Sequence, residues 1–231
     1  HVILKEFHLE NPSEYFTSYV RQYTDFPMLV VLEKHDDLSV ADGSAFVSTR
    51  FLRASDLAGD LGQENNPEWK TIAFDENSNE LVSPTGAIGY RWGEKGKWNI
   101  DEREGKSGAE TKLQLSQIGS DSDSPQITPV AFPHFAANNT NSAWTGCEQE
   151  EIQVRNVPSK TIMGADGKEY LVATVYDLMM ANYGIDRGLG GGNVASSYDQ
   201  DIPGTPAWQE KITGLDRSKV IKVAREFADT A

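Results

Sequence analysis

The spacing of apolar residues changes twice along the chain, and each change marks a change of predicted structure. The opening "HVILKEF" carries an apolar helical stripe. After a break at Asn11-Pro12 a second helix is predicted, with Asn11 as its cap and Pro12 in its first turn. Phe16, Tyr19, Val20 and Tyr23 fall on one face of it. "FPMLVVLE" (26–33) is a continuous apolar run of the length of a buried strand, and "SAFVSTRFLRASDL" (44–57) continues in strand and turn. His35-Asp36-Asp37 and Ala41-Asp42-Gly43 between them read as turns.

From about residue 63 the texture becomes short strands divided by turn residues. "WKTIAF" (69–74) and "NELV" (79–82) flank a turn at Asp75–Ser78, and "TKLQLSQI" (111–118) alternates with period two. "GSDSDSPQITP" and "AANNTNSAWTG" have little core-forming power, so 119–146 is expected to be the most mobile stretch. "KTIMGADGKEYLVATV" (160–175) predicts a hairpin turning at Asp166-Gly167. Helical spacing then returns in "VYDLMMANYG", ending near Gly184. Thr205-Pro206 opens a further helix that Gly214 closes. Asp216 caps the last one, with Leu215 and Val220 placed for a hydrophobic staple and Val220, Val223, Ala224, Phe227 and Ala228 as its stripe. The predicted class is α+β (mixed α/β), with helices at both ends and a β-rich middle insertion. It divides into 1–62, 63–175 and 176–231.

Composition narrows the chemistry. With 231 residues, 38% hydrophobic and 24% charged, the chain can bury a sizeable core, and no apolar run nears the ~20 residues of a membrane-spanning helix. A formal net charge of −14 argues against nucleic acid as a partner, since phosphate binding needs a basic face. The single cysteine, Cys147, leaves no internal disulfide and no cysteine-built metal centre. His1, His8, His35 and His134 are scattered without ligand spacing, so no catalytic or metal-binding residue is assigned. Gly188–Gly192 follows a predicted helix rather than a strand and reads as a flexible helix exit, not a phosphate loop. Both ends lie inside helical patterns, which predicts an internal piece of a longer polypeptide.

One stretch stands out. "GYRWGEKGKWNI" (89–100) packs basic and aromatic residues around Gly93-Glu94-Lys95-Gly96, a good four-residue turn. With Glu94 and Lys95 at its centre, Trp92 lies opposite Lys97 and Arg91 opposite Trp98, so each indole can stack on a cation. Arg91, Trp92, Lys95, Lys97 and Trp98 are therefore the candidates for facing an anion or an anionic cofactor. The same residues also suit a self-stabilised hairpin tip, or the exposed edge of a non-catalytic interaction module.

"YTDFPMLVVLE", "LGQENNPEWKTIAF", "GYRWGEKGKWN", "TVYDLMMANYG" and "TPAWQEKITGLDRSKVIKVAREFA" occur here in order. They resemble successive segments of the catalytic alpha subunit of membrane-bound respiratory nitrate reductases, in the molybdopterin oxidoreductase family. The resemblance implies partial domains of a larger subunit: 1–62 the end of a cofactor-binding α/β domain, 63–175 a β-rich insertion, and 176–231 the start of the next lobe. It implies a parent that reduces nitrate to nitrite at bis(molybdopterin guanine dinucleotide) molybdenum, with a 4Fe-4S cluster. No family metal ligand or proton-transfer residue maps onto this stretch, so it is expected to be inactive alone and to hold no cofactor. The implied partners are the remainder of its own subunit, an iron–sulfur electron-transfer subunit, a membrane haem subunit and nitrate. The implied location is peripheral, on the cytoplasmic face of a bacterial inner membrane, with the piece itself soluble.

Overall fold

The structure is a computed structural model describing residues 1–40, 43–59, 61, 66–85, 100–118, 126–132 and 152–230, of which 36–40, 43, 44 and 85 are described by their backbone alone. Its centre is a closed barrel of five strands: β1 (Leu29–Val40), β2 (Gly43–Phe51), β7 (Gln126–Phe132), β8 (Gln153–Met163) and β9 (Glu169–Thr174). All neighbours are antiparallel except β2 and β7, which meet in parallel at Phe46 and Val130. Two small antiparallel pairs, β3 (Ala73–Phe74) with β4 (Leu81–Val82) and β5 (Pro84–Thr85) with β6 (Asp101–Glu104), lie outside the barrel sheet. The chain is thus mixed α and β, as the apolar spacing predicts. The barrel takes β1 and β2 from residues 1–62 and β7 to β9 from residues 63–175.

Alternation along the strands sorts the core. Val30, Leu32, Phe46, Val130, Phe132, Val157, Leu171 and Ala173 form one cluster with a member from every strand, which marks the inward face of the barrel. Leu178 and Ala181, from the helix that follows β9, join it. The opposite faces of β1 and β9 carry Leu29, Val31 and Val172, covered by Leu52, Leu57, Ile72 and Phe74. This two-sided burial explains why "MLVVL" reads as a continuous apolar run rather than an alternating one.

The structure differs from the sequence pattern at several places. The first helix has π geometry over Leu4–Glu10, and Asn11 closes it, its N–H donating to the Glu6 carbonyl. The cap of α1 (Glu14–Tyr23) is therefore Ser13, whose Oγ accepts from the Phe16 N–H at 3.2 Å. His35-Asp36-Asp37 is not a turn but part of β1, within the irregularity between Lys34 and Ser39 that interrupts its register with β2. Residues 111–118 do not form a strand. They are held as an extended segment by one bridge, Leu113 to Asp75, and by the Gln114 N–H on the Phe74 carbonyl at 2.9 Å. Two residues of sheet edge offer too few partners for a ladder. Within the stretch expected to be mobile, Gln126–Phe132 is instead strand β7, because Val130 and Phe132 supply inward apolar positions; 119–125 and 133–146 lie outside the described residues.

The predicted hairpin of β8 and β9 forms, with Gly164 and Lys168 hydrogen-bonded at 2.8 Å and Gly167 at φ +77°. The C-terminal helices also follow the sequence: α2 (Val175–Asn182), α3 (Pro206–Thr213) capped by Thr205 and stopped by a left-handed Gly214, and α4 (Arg217–Thr230), entered through Asp216.

Candidate functional site

The stretch holding Arg91, Trp92, Lys95, Lys97 and Trp98 lies outside the described residues. The residues flanking it are described. Thr85 pairs with Asp101, and buried Ile100 donates its N–H to the Gln22 carbonyl of α1 at 2.7 Å. Arg21 of α1 pairs with Glu102 at 2.9 Å. Both chain segments at 85 and 101 are therefore fixed beside the C-terminal turn of α1.

Among the described residues, the densest polar construction is built around Arg155. Its position on β8 is inward-facing, the parity of Val157, and its side chain is 2% exposed. The guanidinium donates to four main-chain carbonyls. Nε reaches Asn193 at 2.6 Å, Nη1 reaches Ala181 at 3.0 Å and Asn182 at 2.7 Å, and Nη2 reaches Pro203 at 2.7 Å. Two of these carbonyls end α2, where the helix dipole concentrates negative partial charge. Burial lowers the Arg155 guanidinium to about 10, still far above neutrality, so it stays charged.

The glycine run has its role here. Gly188, Gly190 and Gly191 have φ between +70° and +81°, which lets the loop turn back onto β8. Asn156 donates to the Leu189 carbonyl at 3.0 Å, and a Cβ on Gly191 would lie 2.9 Å from Asn156 Nδ2. The loop is thus pinned to β8 rather than a free helix exit. Just past the glycines, Asn193 offers its carbonyl oxygen to the Arg155 guanidinium, the reverse polarity of a phosphate-binding loop.

A second buried pair sits at the other end of α2. Asp177 is fully buried; its Oδ1 accepts from Arg187 at 2.6 Å and Ser116 Oγ at 2.7 Å, and its Oδ2 from the Gln117 N–H at 2.8 Å. The Thr174 hydroxyl caps the helix by accepting the Asp177 N–H at 3.0 Å. This contact ties the irregular 111–118 segment to α2. Nearby, buried His8 is ringed by Phe16, Phe26 and Tyr176 at 5.4 to 6.4 Å, and its Nδ1 has no hydrogen-bond partner among the described residues. Burial lowers its pKa, keeping the ring neutral at physiological pH.

Two clefts adjoin these features. One, of about 290 Å³, is mainly apolar and lies between Arg155, Tyr183, Pro206, Trp208 and Val220. The other, of about 480 Å³, is polar and bordered by Glu14, Arg21, Glu76, Lys112 and Ser116. In the polar cleft the Ser116 hydroxyl donates to the Asp177 carboxylate, whose charge Arg187 already neutralises. Among the described residues no three His, Cys, Asp or Glu side chains converge to hold a metal ion, and no helix is long and apolar enough to cross a membrane. Four of the five Arg155 N–H groups are consumed by carbonyls, and Arg187 is committed to Asp177. These are cations that hold the fold together.

The chain is 53% identical over all 231 residues to the respiratory nitrate reductase 1 alpha chain of Escherichia coli. It is 45% identical to the respiratory nitrate reductase alpha chain of a Bradyrhizobium species and 36% identical to the nitrate reductase alpha chain of Bacillus subtilis, again over its whole length. The chain is homologous to a segment of respiratory nitrate reductase alpha chains. It covers 18%, 20% and 17% of these three relatives, about a fifth of an alpha chain. No protein-family model matches it. The Arg155 and Asp177 constructions were missed in the sequence because each joins residues far apart in the chain. The one available signal is an arginine at an inward position of a strand.

Proposed function

We propose that these 231 residues are a scaffolding segment of the catalytic alpha chain of a respiratory nitrate reductase. The parent reduces nitrate to nitrite by oxygen-atom transfer at bis(molybdopterin guanine dinucleotide) molybdenum. Its electrons arrive through a 4Fe-4S cluster from an iron–sulfur subunit and a membrane haem subunit. The parent works as a peripheral protein on the cytoplasmic face of a bacterial inner membrane. The observation that carries this reading is the 53% identity to an alpha chain over all 231 residues.

The described residues do not fit the metal centre: no ligand set converges, and the buried guanidinium groups of Arg21, Arg155 and Arg187 are already engaged. No step of the reaction is therefore assigned to them. Their part is mechanical. The barrel, the Arg155 clamp and the Asp177–Arg187 pair hold α2 and its flanking loops in one arrangement, a rigid support for neighbouring parts of the subunit.

The test is nitrate reduction by the full-length polypeptide that contains this segment, with a reduced viologen as electron donor. Nitrite formation supports the proposal. A full-length protein that leaves nitrate untouched, or a native polypeptide of only this length acting as a free-standing interaction module, overturns it.

A further inference from the structure

The α1 face that the sequence groups as Phe16, Tyr19, Val20 and Tyr23 is divided in the structure. Val20 and Arg21 are buried, while Tyr15, Tyr19 and Tyr23 are 53%, 48% and 55% exposed. Spaced at i, i+4 and i+8, the three rings form a continuous ladder. Tyr15 stacks on Tyr19 at 6.3 Å between centroids and Tyr19 on Tyr23 at 5.1 Å. None of their hydroxyls has a hydrogen-bond partner among the described residues. The adjoining row, Glu14, Ser18 and Gln22, carries one exposed carboxylate at its N-terminal end and is neutral beyond it, with Gln22 donating to Ser18 Oγ at 3.3 Å. The helix's one arginine is turned away and paired with Glu102. In a chain of net charge −14 this is an uncharged aromatic strip.

We infer that the Tyr15–Tyr19–Tyr23 ladder is the docking surface for polypeptide of the same alpha chain lying outside these 231 residues, an inference that rests on the function proposed above. Three arguments select that occupant. Uncharged surfaces rich in tyrosine are characteristic of protein–protein contacts, and a ladder already stacked loses little side-chain freedom on docking. The free area is about 300 Å², taking roughly 200 Å² per aromatic side chain, well under the ~800 Å² per partner of a stable two-molecule interface. A second copy or a separate subunit therefore gains too little from it. A contact within one polypeptide does not face that threshold, because covalent linkage keeps its partner at high effective concentration. Such polypeptide is abundant in the relatives, since this chain spans only 18% of the Escherichia coli alpha chain. The complementary surface is apolar, with main-chain carbonyls at its rim to accept from the three phenol hydroxyls.

The experiment places the photo-crosslinker p-benzoylphenylalanine at Tyr19 in the full-length alpha chain and maps its products by mass spectrometry. The expected product joins position 19 to alpha-chain residues outside this segment. Crosslinks within residues 1–231, to a second copy, to another subunit, or none at all, overturn the inference. A second arm compares Tyr15→Ser/Tyr19→Ser/Tyr23→Ser with the unaltered protein. Proteolysis of the full-length chain should quicken about thirtyfold, the size of one interface hot spot, while the isolated 231-residue chain should be unchanged. Equal effects in both contexts would make the ladder a local stabiliser and overturn the inference. Nitrate reduction by the unaltered full-length protein is scored separately, so failure of the functional reading is distinguishable from failure of the docking surface.

Discussion

Replacing Arg155 with alanine removes the cation on which three separate backbone segments converge. The guanidinium makes four hydrogen bonds of 2.6 to 3.0 Å, to the end of α2, to Asn193 in the glycine loop and to Pro203. Bonds from a charged donor are each worth about 1.5–3 kcal/mol, but they are not additive, and water in the adjoining cleft can reach part of the vacated space. Each buried carbonyl left without a donor costs about 1–3 kcal/mol, and with water satisfying some of the four the loss expected here is about 3–5 kcal/mol. At about 2–4 °C per kcal/mol for a chain of this size, the melting temperature should fall by about 10 °C. Denaturant unfolding gives the global figure. Amide exchange at Gly184, Ala195 and Thr205, whose hydrogen bonds lie in the clamped loops, gives the local one. Arg155→Lys keeps the charge but loses the planar fork, so it should recover less than half of the loss. A loss below about 1 kcal/mol in Arg155→Ala, with unchanged exchange at those amides, would refute the clamp as the organiser of this region.

Asp177→Asn should destabilise by about 3–5 kcal/mol, because Arg187 is left buried without its counter-charge; a double variant that also replaces Arg187 with Met should recover much of this, and a thermal melt of both checks it. For His8 the sign follows from burial. The folded pKa is lowered, so the unfolded chain takes up the proton first, and stability from this group is lost as pH falls below about 6.5. Urea unfolding of wild type and His8→Phe should diverge between pH 6.5 and 5, with up to about 1.4 kcal/mol per pH unit of extra slope in wild type; parallel curves would contradict it. Lys95→Gln with Lys97→Gln in the full-length enzyme should leave folding nearly intact. If these lysines steer nitrate or hold an anionic cofactor, nitrate KM rises or cofactor occupancy falls, most at low salt; unchanged values leave the stretch as structure only.

The readable parts of the fold were those in which local chemistry decides. Thr205-Pro206 and Gly214 bracket α3 because a cap, a proline and a left-handed glycine act within a few residues. The Asp166-Gly167 turn sets the register of β8 on β9 for the same reason. What stayed illegible depends on distant partners. Gln126–Phe132 lies amid polar residues and becomes a strand only because β8 pairs with it along its full length. "TKLQLSQI" alternates like a strand but finds too short an edge. The stripe on α4 reads as buried, yet Val223 and Phe227 are exposed and only Ala228 is buried. Periodicity identifies an apolar face without saying what covers it. Arg155 is the same lesson in reverse, an apparently ordinary charged residue whose four acceptors lie 26 to 48 residues further along the chain.

The central claim is that this segment supports a molybdenum enzyme whose redox centre is held elsewhere in the polypeptide. Elemental and pterin analysis of the purified full-length alpha chain beside the isolated 231-residue chain, both without a histidine tag, tests it most directly. The account predicts near-stoichiometric molybdenum, pterin and iron in the full-length protein and background levels in the isolated chain. Stoichiometric metal bound by the isolated chain, or a full-length protein devoid of molybdenum and pterin after expression in a host that makes the cofactor, would contradict it.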